Sequence, residues 1–208
     1  MSSSNERESE KQSIREKVWA RMQSEGVARF PGARGRIPNF VGAERCAEAL
    51  DRLDVWQAAR VIKSNPDSPQ RAIRYRALRE GKRLYMAAPR LRQEACFIEL
   101  DPKKIGEKKY WEASSIAGAG RFGRAVTVEE LPQIDLIVCG SVAVSREGGR
   151  IGKGEATPIW SLPWRRKRER SNRTRRSSPA FTLCKYSINP SPGRCMTFRS
   201  TLFSHPKG

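Results

Sequence analysis

The chain has 208 residues, 38% of them hydrophobic and 30% charged, with a net charge of +19. That length and apolar content allow one α/β domain with its own core, and no apolar run reaches membrane-spanning length. The charge is uneven: residues 156–208 hold 12 of the 41 Lys+Arg and 1 of the 22 Asp+Glu, a net +11, which leaves +8 for residues 1–155. Five cysteines (46, 96, 139, 184 and 195) form no CxxC pair and the single histidine is His205, which argues against a zinc cluster. The opening MSSSNERESE is too polar for a signal peptide, so a reducing, cytoplasmic location is expected.

In chain order, residues 1–8 read as a frayed tail. Ser9 and Gln12 have the spacing of a capping box, and Ile14, Val18 and Met22 recur on one face with Trp19 beside them. This predicts a helix that ends near Gly26. Lys11, Arg15 and Lys17 then fall in its first turns, where cations oppose the helix dipole unless an anion is bound. Solvated surface charge is the plain alternative. Residues 28–42, rich in Pro and Gly, are expected to form a loop. Helical spacing returns over Ala43–Leu53, and Val55–Ile62 ends in a short strand.

Asn65-Pro66-Asp67-Ser68-Pro69 is a turn, with Ser68 and Pro69 suited to the N-cap and first position of a helix that stops at Gly81. Leu84–Ala88 reads as a buried strand halted by Pro89, and Phe97–Leu100 as another. A weak helix is expected around Tyr110–Ala117, with a loop marked by Gly118, Gly120 and Gly123. Leu136-Ile137-Val138-Cys139 is an apolar, β-branched run within residues 134–144, which are expected to form the central strand, buried on both faces, with Cys139 a reduced core residue. The alternation of helices and strands predicts an open, mainly parallel sheet with helices on its faces.

The run feeds a glycine-dense basic loop: Gly148, Gly149, Arg150, Gly152, Lys153, Gly154. A buried strand leading into such a loop can present backbone N–H groups to phosphate, with Arg150 and Lys153 adding charge. A surface turn with solvated basic residues has the same composition.

Several stretches together resemble the 5-formyltetrahydrofolate cyclo-ligase family, and most of all its archaeal-type branch and the methenyltetrahydrofolate synthase domain-containing proteins. They are KQSIR (Lys11–Arg15), RIPNF (Arg36–Phe40), NPDSPQ (Asn65–Gln70), Gly81-Lys82, PRLR (Pro89–Arg92), DLIVCGSVAVS and RIGKGE. The resemblance covers about residues 10–155 and implies a three-layer α/β/α fold. It also implies ATP and Mg²⁺, and cyclisation of 5-formyltetrahydrofolate to 5,10-methenyltetrahydrofolate. In that reaction the formyl oxygen is phosphorylated, N10 attacks the activated carbon, and phosphate leaves. Lys11 and Arg15 match the family's phosphate-contacting Lys-x-x-x-Arg. Arg150, Gly152 and Gly154 match its nucleotide loop, which also carries Lys153, the expected catalytic cation. Asp67 is the nearest counterpart of a folate-contacting carboxylate. No residue is assigned to a metal.

The family continues after this loop with Gly-Tyr-Ser-Asp-Leu-Glu, whereas this chain reads ATPIWSLPWRRKRER from Ala156. Taking the last base of each codon with the first two of the next, the codons for Ala156 to Pro163 allow Gly-Tyr-Ser-Asp-Leu-Glu-Phe-Ala. The same offset allows Val-His-x-x-Gln-Val over Phe181–Tyr186 and His-Asp-Val-Pro-Val-Asp over Cys195–Ser200. Residues 156–208 are therefore expected to be a frameshifted translation, an unstructured Arg-rich tail that leaves the domain incomplete and its activity impaired. The alternatives are a non-catalytic homologue, or a nucleic-acid-binding protein acting through Arg165–Arg176, which holds eight basic residues in twelve. That run lacks interleaved aromatics, so nucleic acid is expected only as a non-specific partner of the tail.

Overall fold

The computed structural model describes residues 2–87, 96–145 and 149–154, and the backbone of 180–184. Its centre is a sheet of six strands: β1 (Val61–Ser64), β2 (Arg83–Ala87), β3 (Phe97–Leu100), β4 (Arg124–Val126), β5 (Leu136–Gly140) and β8 (Ala180–Cys184), in the order β4-β3-β2-β1-β5-β8. The pairs β2–β1, β1–β5 and β5–β8 are parallel, while β2–β3 and β3–β4 are antiparallel. The parallel centre with an antiparallel margin gives the α/β class that the alternating pattern predicts. Every residue of β5 is buried, as a strand covered on both faces requires.

The two faces of the sheet carry different cores. Ile62, Leu84, Met86, Leu136 and Val138 point to one side and join the larger cluster. Into it pack α1 (Ser2–Ser24), α2 (Arg45–Glu48), α3 (Asp54–Ala58), α4 (Arg71–Arg79), α5 (Tyr110–Ala113) and α6 (Ile116–Phe122). Tyr85, Ile137 and Cys139 alternate to the other side, with Phe97, Val126 and Ile134. Val128 and Leu131, from the segment leading to β5, pack against this second cluster. Among the described residues the helical layer therefore lies on one face, and the second helical layer of the expected three is not among them.

Four expectations change. Helix α1 begins at Ser2, so residues 5–8 are helical and Ser9 is not an N-cap. Glu8 explains part of the extension, because its carboxylate meets Lys11, one turn on, at 3.5 Å and Arg15, two turns on, at 2.8 Å. Lys11 and Arg15 consequently lie mid-helix, where the macrodipole has no hold on them. The buried stripe of α1 is Arg15, Trp19 and Met22, with Ile14 and Val18 only half-buried.

Over Ala43–Leu53 the helix is shorter than predicted: α2 tightens into a 3₁₀ turn at Ala49–Arg52. Gly118 and Gly120 are helical residues of α6, not loop markers. The helix is started by Ser115, whose Oγ accepts from the Gly118 N–H at 3.0 Å, and Gly118 is needed because a Cβ there would stand 1.9 Å from the Glu112 carbonyl oxygen. Finally, β5 stops at Gly140. Ala143–Val144 (β6) belongs to a separate two-stranded antiparallel ribbon with Arg150–Ile151 (β7).

The strand predicted over Leu84–Ala88 is β2, although Ala88 and Pro89 lie outside the described residues, as do Gly148 and Glu155. The tail expected to be unstructured also lies outside them, apart from Ala180–Cys184. That stretch is a strand, in parallel register from Leu136↔Ala180 to Gly140↔Cys184. The physical reason is the edge it covers: β5 is apolar throughout, and its outer N–H and C=O groups need a partner.

Candidate nucleotide and substrate site

The site forms where β1 and β5 end together. Strand β1 delivers Lys63 and Ser64 and then the turn Asn65–Gln70; β5 delivers Cys139 and Gly140 and then the β6–β7 ribbon. The Asn65 N–H donates to the Val138 carbonyl at 3.2 Å, which ties the turn to the strand end. The turn ends in a 3₁₀ turn, Ser68–Gln70, that leads into α4; Asp67 and not Ser68 stands at its N-cap, so Ser68 is its first residue and Pro69 its second, one position later than expected.

Arg74 holds this turn from beneath. Its Nη1 donates to the carbonyls of Asn65 and Asp67 at 2.7 and 2.9 Å, and its Nε to that of Ser114 at 2.8 Å. Lys63 is buried and its Nζ donates to Asn65 Oδ1 at 2.6 Å. Burial pushes the Lys63 ammonium below its usual range, against the pull of Cys139 and Asp67. The Asp67 carboxyl is pushed up by burial, opposed by the positive charges of Arg74, Lys63 and Lys153. Burial also raises the Cys139 thiol, which leaves it a protonated core residue.

The Gly-rich loop follows β5 at the carboxyl end of the parallel strands, where open α/β sheets hold ligands. Arg150 folds back over that end: its Nη2 donates to the Gly140 carbonyl at 3.0 Å and its Nε to Ser141 Oγ at 3.2 Å. Gly154 adopts φ +105°, a left-handed conformation that suits glycine. Helix α1 reaches the loop from the other side. Arg15 Nε donates to the Gly152 carbonyl at 2.9 Å, and the Arg15 guanidinium is the nearest group to a Cβ placed on Gly154, at 3.5 Å. Two segments 137 positions apart thus bring Arg15, Arg150 and Lys153 to one loop. Lys11 is not part of that contact; it is half-exposed and pairs with Glu8.

Gly140 is the closest approach in the site. A Cβ there would stand 2.6 Å from Asp67 Oδ2, 2.7 Å from Gln70 Nε2 and 2.8 Å from Ile37 Cγ2. Beside it lies a pocket with walls of Ile37, Pro38, Phe40 and Pro69, closed by Gln70, Gly140, Ser141 and Val142.

Lys63, Arg74 and Gln70 shape this candidate site and are not singled out by the sequence. Arg74 had a signal, since it shares the buried face of α4 with Ile73, Ala77 and Leu78. Lys63 had a weaker one, a lone cation inside an apolar strand.

A cationic, glycine-rich loop closed by a distant arginine at the carboxyl end of a parallel sheet is the arrangement by which α/β proteins hold phosphorylated ligands. The chain belongs to the 5-formyltetrahydrofolate cyclo-ligase family, which it matches over residues 4–156. It is similar to the methenyltetrahydrofolate synthase domain-containing proteins of Bos taurus and Mus musculus, at 42% identity over 147 residues of each, 70% of this chain. The Homo sapiens protein of the same name is 35% identical over 147 residues. The matched region spans 38%, 39% and 38% of those three relatives, so the likeness concerns well under half of each. No solved structure matches the chain.

Proposed function

We propose that the domain is built for ATP-dependent cyclisation of 5-formyltetrahydrofolate to 5,10-methenyltetrahydrofolate, and that this copy is impaired because its reading frame shifts after Glu155. The observation that carries the reading is the meeting of Arg15 with the Gly152–Gly154 backbone across 137 positions. Neither segment alone surrounds a polyphosphate, and a guanidinium suits phosphate oxygens through paired, charge-assisted hydrogen bonds. Bound ATP supplies the phosphoryl group that activates the formyl oxygen. Arg15 and Arg150 hold the phosphates from two sides, and Lys153 neutralises charge on the transferring group. Asp67 and the apolar pocket beside Gly140 hold the folate with its formyl group toward the loop.

Mg²⁺ is a separate matter. Among the described residues no three His, Cys, Asp or Glu side chains gather where they could hold a metal ion. Asp67 is held among cations, which is poor company for a metal ligand. The family's Tyr-Ser-Asp segment after the loop has no counterpart in Ala156-Thr157-Pro158-Ile159.

The strand Ala180–Cys184 overlaps, over Phe181–Cys184, the stretch whose shifted frame spells the family-like Val-His-x-x-Gln-Val. The strand is made by the chain's own Ala-Phe-Thr-Leu-Cys, so the frameshift account rests on the codon offset and on the departure from the family after Glu155. The test is to restore one base near codon 155 and assay ATP-dependent formation of 5,10-methenyltetrahydrofolate. The restored protein is expected to be active and the 208-residue chain to have little or no activity. Full activity of the uncorrected chain refutes the frameshift account; a folded but inactive restored protein refutes the ligase assignment.

A further inference from the structure

Glu8 bridges two cations of α1. Its Oε1 accepts from Arg15 Nη1 at 2.8 Å, and its Oε2 lies 3.5 Å from Lys11 Nζ. These are the two residues that match the family's phosphate-contacting Lys-x-x-x-Arg. One carboxylate thus engages both, one oxygen to each, as two oxygens of a bound phosphate would. The helix sets this spacing, because residues one and two turns apart share a face. The hydrogen bond from Arg15 holds the Glu8 carboxyl below its usual range, so the group is charged at neutral pH.

The other contacts of Arg15 show what the bridge blocks. A guanidinium grips phosphate through two neighbouring N–H groups, either Nε with Nη2 or Nη1 with Nη2. Nε is taken by the Gly152 carbonyl at 2.9 Å. Nη1 is taken by Glu8 and by Gln12 Oε1, at 2.8 and 3.0 Å. Each paired edge therefore has one member engaged within the protein. The engagements differ in kind. The bond to Gly152 ties the helix to a loop 137 positions away. The Glu8 side chain is 55% exposed, and a pair of that sort is weak. Gln12 is uncharged. Glu8 alone both occupies the guanidinium and repels an approaching polyphosphate.

We propose that Glu8 is an autoinhibitory residue, an internal stand-in for phosphate that ATP displaces from Arg15 when it binds. This inference rests on the nucleotide reading above. Its test is equilibrium titration with ATP of the 208-residue chain and of its one-base-restored form, each as the parent, as Glu8→Gln and as Glu10→Gln. Glu10 is exposed on the same helix, so its substitution changes the net charge equally. The Glu8→Gln comparison is repeated in Arg15→Ala. Glu8→Gln is expected to tighten ATP about two- to fivefold, the worth of an exposed ion pair. Glu10→Gln is expected to leave the affinity unchanged, and the gain from Glu8→Gln is expected to vanish in Arg15→Ala. If Glu8→Gln binds ATP no more tightly than the parent, Glu8 positions Arg15 and does not inhibit it, and the proposal is overturned. An equal gain from Glu10→Gln, or an undiminished one in Arg15→Ala, overturns it too, as an effect of net charge alone. If neither parent form binds ATP, the nucleotide reading falls and takes this inference with it.

Discussion

Arg15 is a buried guanidinium on a helix whose neighbouring charges face water, and its bond to the Gly152 carbonyl ties the helix to the Gly-rich loop. Arg15→Ala is expected to weaken ATP binding about tenfold or more, because it removes the proposed phosphate contact together with the strut that places the loop. Lys11→Ala removes only an exposed pair with Glu8 and is expected to change the affinity about threefold at most. Calorimetric titration with ATP separates the two, and equal losses would contradict the asymmetry between them. Asp67 carries a pH prediction. Its carboxyl is raised by burial, so the folded state holds the proton that the unfolded chain releases near pH 4. The stability this contributes is complete below the unfolded value and is lost as pH rises through the folded one. Asp67→Asn escapes that loss. Its stability relative to the parent should grow as pH is raised from about 4 and then level off. Denaturant melts across that range would show it; an advantage that shrinks with rising pH would mean that Arg74 and Lys63 outweigh the burial.

At the scale of elements, α6 shows how two similar glycines differ. Gly118 sits where a Cβ would meet the Glu112 carbonyl oxygen at 1.9 Å, while a Cβ on Gly120 meets nothing within 4 Å. Gly118→Ala is expected to destabilise the protein by about 1–3 kcal/mol through overpacking. Gly120→Ala should stabilise it by roughly 0.5–1 kcal/mol, by removing backbone freedom from an exposed helical position. Thermal unfolding of the pair is the check, and shifts of the same sign would contradict it. The sequence reading took both as loop residues because glycine density is a loop signal. The stronger signal was Ser115, three residues before Gly118, in the position of an N-cap. Helix α1 misled in a different way. Its apolar spacing through Ile14 and Val18 was legible, but the buried face begins with a charged residue, Arg15, which periodicity in apolar residues does not count.

For the whole molecule, the decisive feature is the outer edge of β5. All five of its residues are buried, and Ala180–Cys184 covers that edge. A chain ending at residue 155 would leave a flat, apolar parallel edge open to other molecules. Such a truncation is expected to aggregate at concentrations where the 208-residue chain stays monodisperse, as light scattering would report. Equal solubility would show that β8 contributes little to the sheet.

Much of this protein was determined by local sequence. The β5 run, the turn at Asn65–Pro69, the stop at Gly81 and the Gly-rich loop are all legible because they depend on short-range sterics: β-branching, the fixed φ of proline, the freedom of glycine. The family resemblance rests on the same short segments. Tertiary structure alone decided which charges form the site. Lys11 and Arg15 are equivalent in sequence, yet one faces water and the other the Gly152 carbonyl, because the angle at which α1 docks is set by Trp19 and Met22 in the core. Lys63, Arg74 and Gln70 gain their roles only when β1 and β5 pair in register, Ile62 to Leu136 and Ser64 to Val138, and set the turn against Gly140. Register is a long-range quantity: it depends on burial summed over both strands, and no local pattern within either one contains it.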